Sequence, residues 1–212
     1  MSEAKKIKRR PGRAISPDEL QRLMAACGRG AAGLRNRAFL ALGYGAALRC
    51  SEALSILPRH IDRQPTGGAF VTVTSGKGNK SRTVAIGPEY LSHIDRWLDQ
   101  RKTLGITANA PIICGITRSQ KANVLGGSRS TFGMPVSPVL MRTTLARLGK
   151  KAGIDGAIRP HGLRHGAATE MAKKNKGLRQ ICAQLGHSST ATTDRYLAKV
   201  APTDLLEAVA DI

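Results

Sequence analysis

Acidic residues are scarce. Asp and Glu number 14 against 34 Lys and Arg, which leaves a formal charge of +20. The few carboxylates are scattered, so no cluster is available of the kind that spreads phosphate charge onto metal ions. Aromatic residues make up 3% of the chain, which leaves few platforms for base stacking and argues against a generic RNA-binding protein. No apolar run approaches the roughly 18 residues needed to span a bilayer, and the basic start MSEAKKIKRRPGR leads into no apolar signal segment. A cytoplasmic protein is expected. Cys27, Cys50, Cys114 and Cys182 form no CxxC pair. They predict buried thiols in a reducing compartment, not a disulfide framework.

What is present is positive charge, and it predicts a polyanionic partner: nucleic acid first, an anionic membrane second. A chain of 212 residues can bury one sizeable core. Residues 1–13 read as a charged tail. Ser16, Pro17 and Glu19 form a helix start with a capping box, followed by Leu20, Leu23, Met24 and Cys27 at helical spacing. A second helix is expected from about Asn36 to Gly43. Phe70–Thr74 and Arg82–Ile86 alternate as the strands of a hairpin turning at GKGN. Pro88 and Pro138 each open a helix, and two more are expected over about Leu163–Lys174 and Leu178–Leu185, the last stopped by Gly186. Gly115–Ser137 has no period and reads as a long basic loop. The fold class is mainly α with a small antiparallel β-sheet, in one compact domain.

Seven polar residues stand out on this frame. Arg49 and Glu52 are three apart, neighbours at a helix start. Lys77 sits in the glycine-flanked hairpin turn. His161 and Arg164 share a helical face. His187 follows the helix stop, and Tyr196 comes nine residues later. Two arginines can grip phosphate oxygens and stay charged. Histidines can shuttle protons or donate to phosphate. A lysine can protonate a leaving oxygen. A tyrosine hydroxyl is weak when free but usable beside cations that favour its phenolate. The set suits covalent, metal-free phosphoryl transfer.

In order and wording these pieces resemble the tyrosine recombinase, or phage integrase, family. Its first box, G-L-R-x-S-E, is matched by Ala47–Glu52; its hairpin G-K-G-N-K-x-R by Gly76–Arg82; its second box, H-x-L-R-H, by His161–His165; its third by Leu185–His187 with Tyr196 beyond. The resemblance covers about Ile15 to Lys199 and implies the recombinase catalytic-domain fold over residues 14–200. It implies a site-specific DNA recombinase working through a 3′-phosphotyrosyl intermediate without metal, ATP or other cofactor. Tyr196 would be the nucleophile, Arg49 and Arg164 would hold the scissile phosphate, and Lys77 would be the general acid. His161 would be the base or proton shuttle, His187 would hydrogen-bond the phosphate, and Glu52 would orient Arg49. The implied partner is double-stranded DNA, bound by a homo-tetramer on paired sites, with an accessory DNA-binding protein as a further partner and no membrane. The implied setting is the bacterial nucleoid. Lys5, Lys6, Lys8, Arg9, Arg10, Arg13, Lys80 and Arg82 are expected to add phosphate contacts.

Some features depart from the pattern. Ala47 replaces the usual Gly of the first box. Gly162 stands where Asp is common, which is expected to loosen the start of that helix. The helix start at Ser16 leaves no room for a preceding arm domain, so a catalytic-domain-only member is expected. Residues 201–212 carry Leu205, Leu206, Val209 and Ile212 as a small apolar stripe, expected to dock on a neighbouring catalytic domain or on its own. Other side chains have plainer readings. His165 is expected to pack or bond backbone, Tyr44 and Trp97 to sit in the core, and Tyr90 to lie on a helix surface. His161, His165 and His187 lack the spacing and partners of a zinc site. Two other functions remain open: a catalytically degenerate DNA-binding protein of the same fold, and a type IB topoisomerase-like enzyme.

Overall fold

The Ser16 hydroxyl accepts from the Glu19 backbone N–H at 3.1 Å, and the Glu19 carboxylate accepts from the Ser16 N–H at 3.1 Å. This is the reciprocal box that starts helix α1 (Pro17–Ala26). In the computed structural model, residues 13–65, 67–74, 81–117 and 131–186 are described. Helix α2 spans Ala31–Leu40 and continues into one π turn over Ala41–Gly45. It begins earlier than periodicity suggested. Its sides are buried without a single apolar stripe, and Arg35 and Asn36 are among the buried positions. Arg35 answers its burial by donating to Asn36 Oδ1 at 3.2 Å and to the Cys114 carbonyl at 3.4 Å.

A short helix α3 (Cys50–Ser55) and a 3₁₀ turn (Pro58–His60) lead to the sheet. Strands β1 (Ile61–Arg63), β2 (Ala69–Val73) and β3 (Arg82–Ile86) pair antiparallel in the order β1-β2-β3, with Val71 opposite both Ile61 and Val84. The hairpin β2-β3 matches the alternation in sequence. Strand β1 has one buried residue, Ile61, too little pattern to be read from sequence. Helices α4 (Pro88–Leu104), α5 (Pro138–Lys151), α6 (Pro160–Lys173) and α7 (Leu178–Leu185) complete the described fold. Helix α6 starts at Pro160 rather than near Leu163, with proline at its first position, where the missing N–H costs nothing.

The core lies between α4, α2 and the π turn. Trp97, Ile94, Phe39, Leu40 and Leu42 are fully enclosed there, and each such side chain contributes about 1.5–3 kcal/mol. The Trp97 indole N–H donates to the Ile112 carbonyl at 2.6 Å, and the Ile112 N–H donates to the Ile56 carbonyl at 2.7 Å, tying the loop after α4 to the end of α3. Tyr44 is buried as expected. Tyr90 is not a surface residue: it is half-buried against Tyr44, ring centroids 6.0 Å apart. Gly45 makes room for it, since a Cβ there would lie 2.5 Å from Tyr90 Cγ. Cys27 and Cys114 are buried, whereas Cys50 and Cys182 are half-buried; none is in a disulfide.

Gly162 has a steric reason. The segment Arg13–Ile15 lies across α6, with the Ile15 N–H donating to the Gly162 carbonyl at 3.1 Å. A Cβ on Gly162 would sit 2.4 Å from the Arg13 carbonyl oxygen, and one on Gly166 would sit 2.1 Å from that of Ile15. The glycines form a groove for the incoming chain, and α6 is intact at its start. The ends of the Gly115–Ser137 loop are clamped together, with Gly115 donating to Met134 O and Gly133 to Gly115 O, each at 2.9 Å. The loop interior, the tail before Arg13 and the stretch 201–212 lie outside the described residues.

Candidate active site

The π turn ends in a backbone reversal at Ala47, whose φ of 53° is left-handed. That conformation suits glycine, which accounts for the glycine usual at this place in the first box. The reversal aims the Ala47 carbonyl at α6 and releases Arg49 at the start of α3. Glu52 then turns back: its Oε2 accepts from the Arg49 backbone N–H at 2.8 Å and its Oε1 from Arg49 Nη1 at 2.8 Å. Arg49 is thereby oriented while 44% of its side-chain surface stays exposed.

The same carboxylate holds a second arginine. Arg82, at the start of β3, donates to Glu52 through Nη1 at 2.9 Å and Nη2 at 2.8 Å, the bidentate geometry that makes such pairs strong. Arg82 passes the end of α7 on its way, where a Cβ on Gly186 would meet its Nε at 2.4 Å. Gly186 also caps α7 with a φ of 62°. Burial alone would raise the Glu52 pKa. The hydrogen bonds from Arg82, then from the Arg49 backbone and side chain, overcome it and hold the carboxyl at about 2. Glu52 is therefore ionised throughout the neutral range.

Arg164 projects from α6 into the same knot and is 1% exposed. Its Nη1 donates to the Ala47 carbonyl at 2.8 Å and its Nη2 to the Leu185 carbonyl, and Nη1 lies 3.9 Å from Glu52 Oε2. One guanidinium thus joins the turn before Arg49, helix α6 and the last residue of α7. Taking such a charge out of water is costly, and the two carbonyls and the nearby carboxylate offset that cost.

His161, one turn earlier on α6, is exposed at the mouth of an open groove of about 670 Å³ lined also by Cys50, Arg142, Thr143, Arg159 and Pro160. Partial desolvation, then the charges of Arg164 and Arg49, lower its pKa below 6.5. The shift favours the neutral ring, the state that accepts a proton. His165 stacks edge-on against it with centroids 4.3 Å apart. The arrangement presents arginine charge, an imidazole biased toward its neutral form and a basic groove, with the charge of the Glu52 carboxylate balanced by Arg49 and Arg82. It is suited to a phosphodiester.

Of the residues singled out in sequence, Arg49, Glu52, His161 and Arg164 come together here. Lys77, Lys80, His187 and Tyr196 lie outside the described residues, as do Lys5, Lys6, Lys8, Arg9 and Arg10. Besides Arg164, whose guanidinium is held by the Ala47 and Leu185 carbonyls, two further residues expected at phosphate have internal partners. Arg82 is committed to Glu52. Arg13 donates to Glu19 at 2.8 and 2.6 Å and to the Asp155 carbonyl at 2.9 Å. Two further cations beside His161 carry no motif of their own in sequence: Arg142, brought there by packing of α5 on α6, and Arg159, the N-cap residue of α6 two positions before His161.

Residues 13–201 match the family model described as the phage integrase family. The tyrosine recombinase XerC of Escherichia coli O157:H7 (strain EC4115 / EHEC) is 32% identical over 182 residues, covering 86% of this chain and 54% of that protein. This chain thus spans about half the length of such relatives. Among solved structures, the XerA recombinase is 26% identical with a TM-score of 0.69, covering 93% of this chain and 64% of that one. The XerH site-specific recombinase bound to its palindromic difH substrate has a TM-score of 0.71 at 21% identity, covering 93% of this chain and 52% of that one. That second likeness shows the fold.

Proposed function

Since the chain belongs to the phage integrase family, we propose that it is a site-specific DNA recombinase that cuts and rejoins strands through Tyr196. The Tyr196 oxygen attacks phosphorus, the bond to the 5′-oxygen breaks, and a 3′-phosphotyrosyl link forms. His161 takes the phenolic proton and Lys77 supplies one to the departing 5′-oxygen. Arg49, Arg164 and His187 hold the phosphate and the charge that develops on it. The link conserves the phosphoester bond, so the 5′-hydroxyl of a second strand can attack it in reverse without ATP. Double-stranded DNA is the substrate on this reading, in keeping with the formal charge of +20. Two paired sites require a homo-multimer, a tetramer on this reading, acting in the cytoplasm at the nucleoid.

The observation that supports this most is the junction of Arg49, Glu52, His161 and Arg164, where an ionised Glu52 leaves arginine charge and an imidazole biased toward its neutral form facing a basic groove. The test begins with a randomised library of nicked duplexes. DNA trapped covalently on the protein is sequenced to give the site. Plasmids carrying one or two copies of that site then separate the activities. Exchange that needs two sites is expected. Relaxation of a one-site plasmid without exchange identifies a topoisomerase-like enzyme, and binding without any adduct identifies a degenerate DNA-binding protein.

A further inference from the structure

Gln184, the penultimate residue of α7, makes contacts that packing alone does not require. Its Nε2 donates to the Ala85 carbonyl at 2.7 Å, and its Oε1 accepts from the Ala85 N–H at 3.1 Å. The carboxamide therefore pairs with a peptide group of β3 as a neighbouring strand would. Strand β3 is an edge of the sheet, and an unpaired edge is a liability that folds cover. Nε2 also donates to the Ala46 carbonyl at 3.2 Å. An amide is the side chain that offers donor and acceptor in this arrangement.

The three backbones joined are those of the candidate site. Strand β3 begins with Arg82, which holds Glu52. Ala46 precedes Ala47, whose carbonyl takes Arg164, and α7 ends at Leu185, whose carbonyl takes Arg164 as well. Gln184 and Arg164 thus tie neighbouring peptides of the same segments from two sides. We infer that Gln184 is a positioning residue of the cleavage centre, fixing the end of α7 against β3 and the turn that carries Arg49. It touches no reacting atom. The inference rests on the proposed function, because a centre held to fractions of an ångström matters only to an enzyme.

The experiment compares wild type with Gln184→Met and Gln184→Glu on nicked duplexes recovered by wild-type protein. Single-turnover adduct formation, DNA affinity and thermal stability are measured for each. Methionine keeps the size and loses every hydrogen bond. Adduct formation at saturating DNA is expected to fall about 10- to 100-fold, with affinity within about twofold of wild type. Glutamate faces two carbonyl oxygens when ionised. When protonated it can donate to Ala85 O and accept from Ala85 N as glutamine does. Its deficit relative to wild type is therefore expected to shrink as pH falls from about 8 to about 5, while that of Gln184→Met stays constant. Wild-type rates in Gln184→Met overturn the inference, as does a Gln184→Glu deficit that ignores pH or a rate loss explained by lost affinity. A wild type that forms no adduct on any duplex removes the proposed function itself, and this inference with it.

Discussion

Glu52 and Arg82 meet through both oxygens and both terminal nitrogens, at 2.9 and 2.8 Å, although 30 positions separate them in the chain. This pair decides what the arginines can do. It fixes Arg82 inside the protein, keeps Glu52 ionised, and lets Glu52 orient Arg49 while Arg49 remains open to solvent. A carboxylate beside a phosphate site would ordinarily repel the substrate; here its charge is already balanced.

The pair makes stability depend on pH. The Glu52 carboxyl is depressed from an ordinary 4.5 to about 2 in the fold. A depressed carboxyl contributes stability above its unfolded value and loses it as pH falls through its folded one. The contribution, about 3 kcal/mol, is complete above about pH 4.5 and gone near pH 2. Urea denaturation of wild type and Glu52→Gln should show a gap of at least that size at pH 7, since the variant also strands the Arg82 charge. The gap should close as pH drops through that window. A gap independent of pH contradicts this account.

Ala47 holds a left-handed φ of 53°, which costs an L-residue roughly 1–2 kcal/mol. Glycine would relieve it, offset by about 0.4–1 kcal/mol of extra freedom in the unfolded chain. Ala47→Gly is therefore expected to stabilise the protein by up to about 1 kcal/mol, read as a higher urea midpoint at unchanged slope. A clear loss of stability would show that the alanine methyl packs for more than the backbone strain costs.

The groove on α6 predicts the opposite sign for a similar change. A methyl on Gly166 would lie 2.1 Å from the Ile15 carbonyl oxygen and 2.8 Å from Tyr44 Cε2. Gly166→Ala should cost about 1–3 kcal/mol, as overpacking does. Gly177→Ala, where nothing lies within 4 Å, serves as the control. Equal stability in the two variants contradicts close packing of Arg13–Ile15 on α6.

His161 should titrate below 6.5, because desolvation and the Arg164 and Arg49 charges disfavour its protonated form. Ring resonances followed by NMR give the midpoint. Strand cleavage should fall on the acid side of that midpoint, where the base is lost. His161→Asn should lower the cleavage rate by about 100- to 10,000-fold. A midpoint above 6.5 would show that a carboxylate governs this ring.

Local rules carried much of this from sequence, and distance set their limit. The Ser16 cap, the β2-β3 hairpin and the Gly186 stop follow from residues within a few positions of one another. So did the pairing of Arg49 with Glu52, three apart. The start of helix α2 is hidden in the sequence because its buried Arg35 and Asn36 break the apolar period that would reveal it. At Arg82 the sequence suggests a DNA contact and nothing nearby betrays Glu52 as its partner. The Gln184–Ala85 contact spans 99 positions and has no signature, since a glutamine beside an apolar stripe looks like an ordinary surface residue. At Ala47 and Gly162 the departures from the family pattern were visible, but their backbone causes were not.

The central claim is that Tyr196 is the nucleophile. The most direct measurement traps the covalent DNA adduct on nicked duplex and maps the modified residue by peptide mass spectrometry. The account predicts a single phosphotyrosyl linkage at Tyr196, and no adduct from Tyr196→Phe at DNA concentrations where that variant binds as tightly as wild type. An adduct on Tyr44 or Tyr90, or one that persists in Tyr196→Phe, would contradict it.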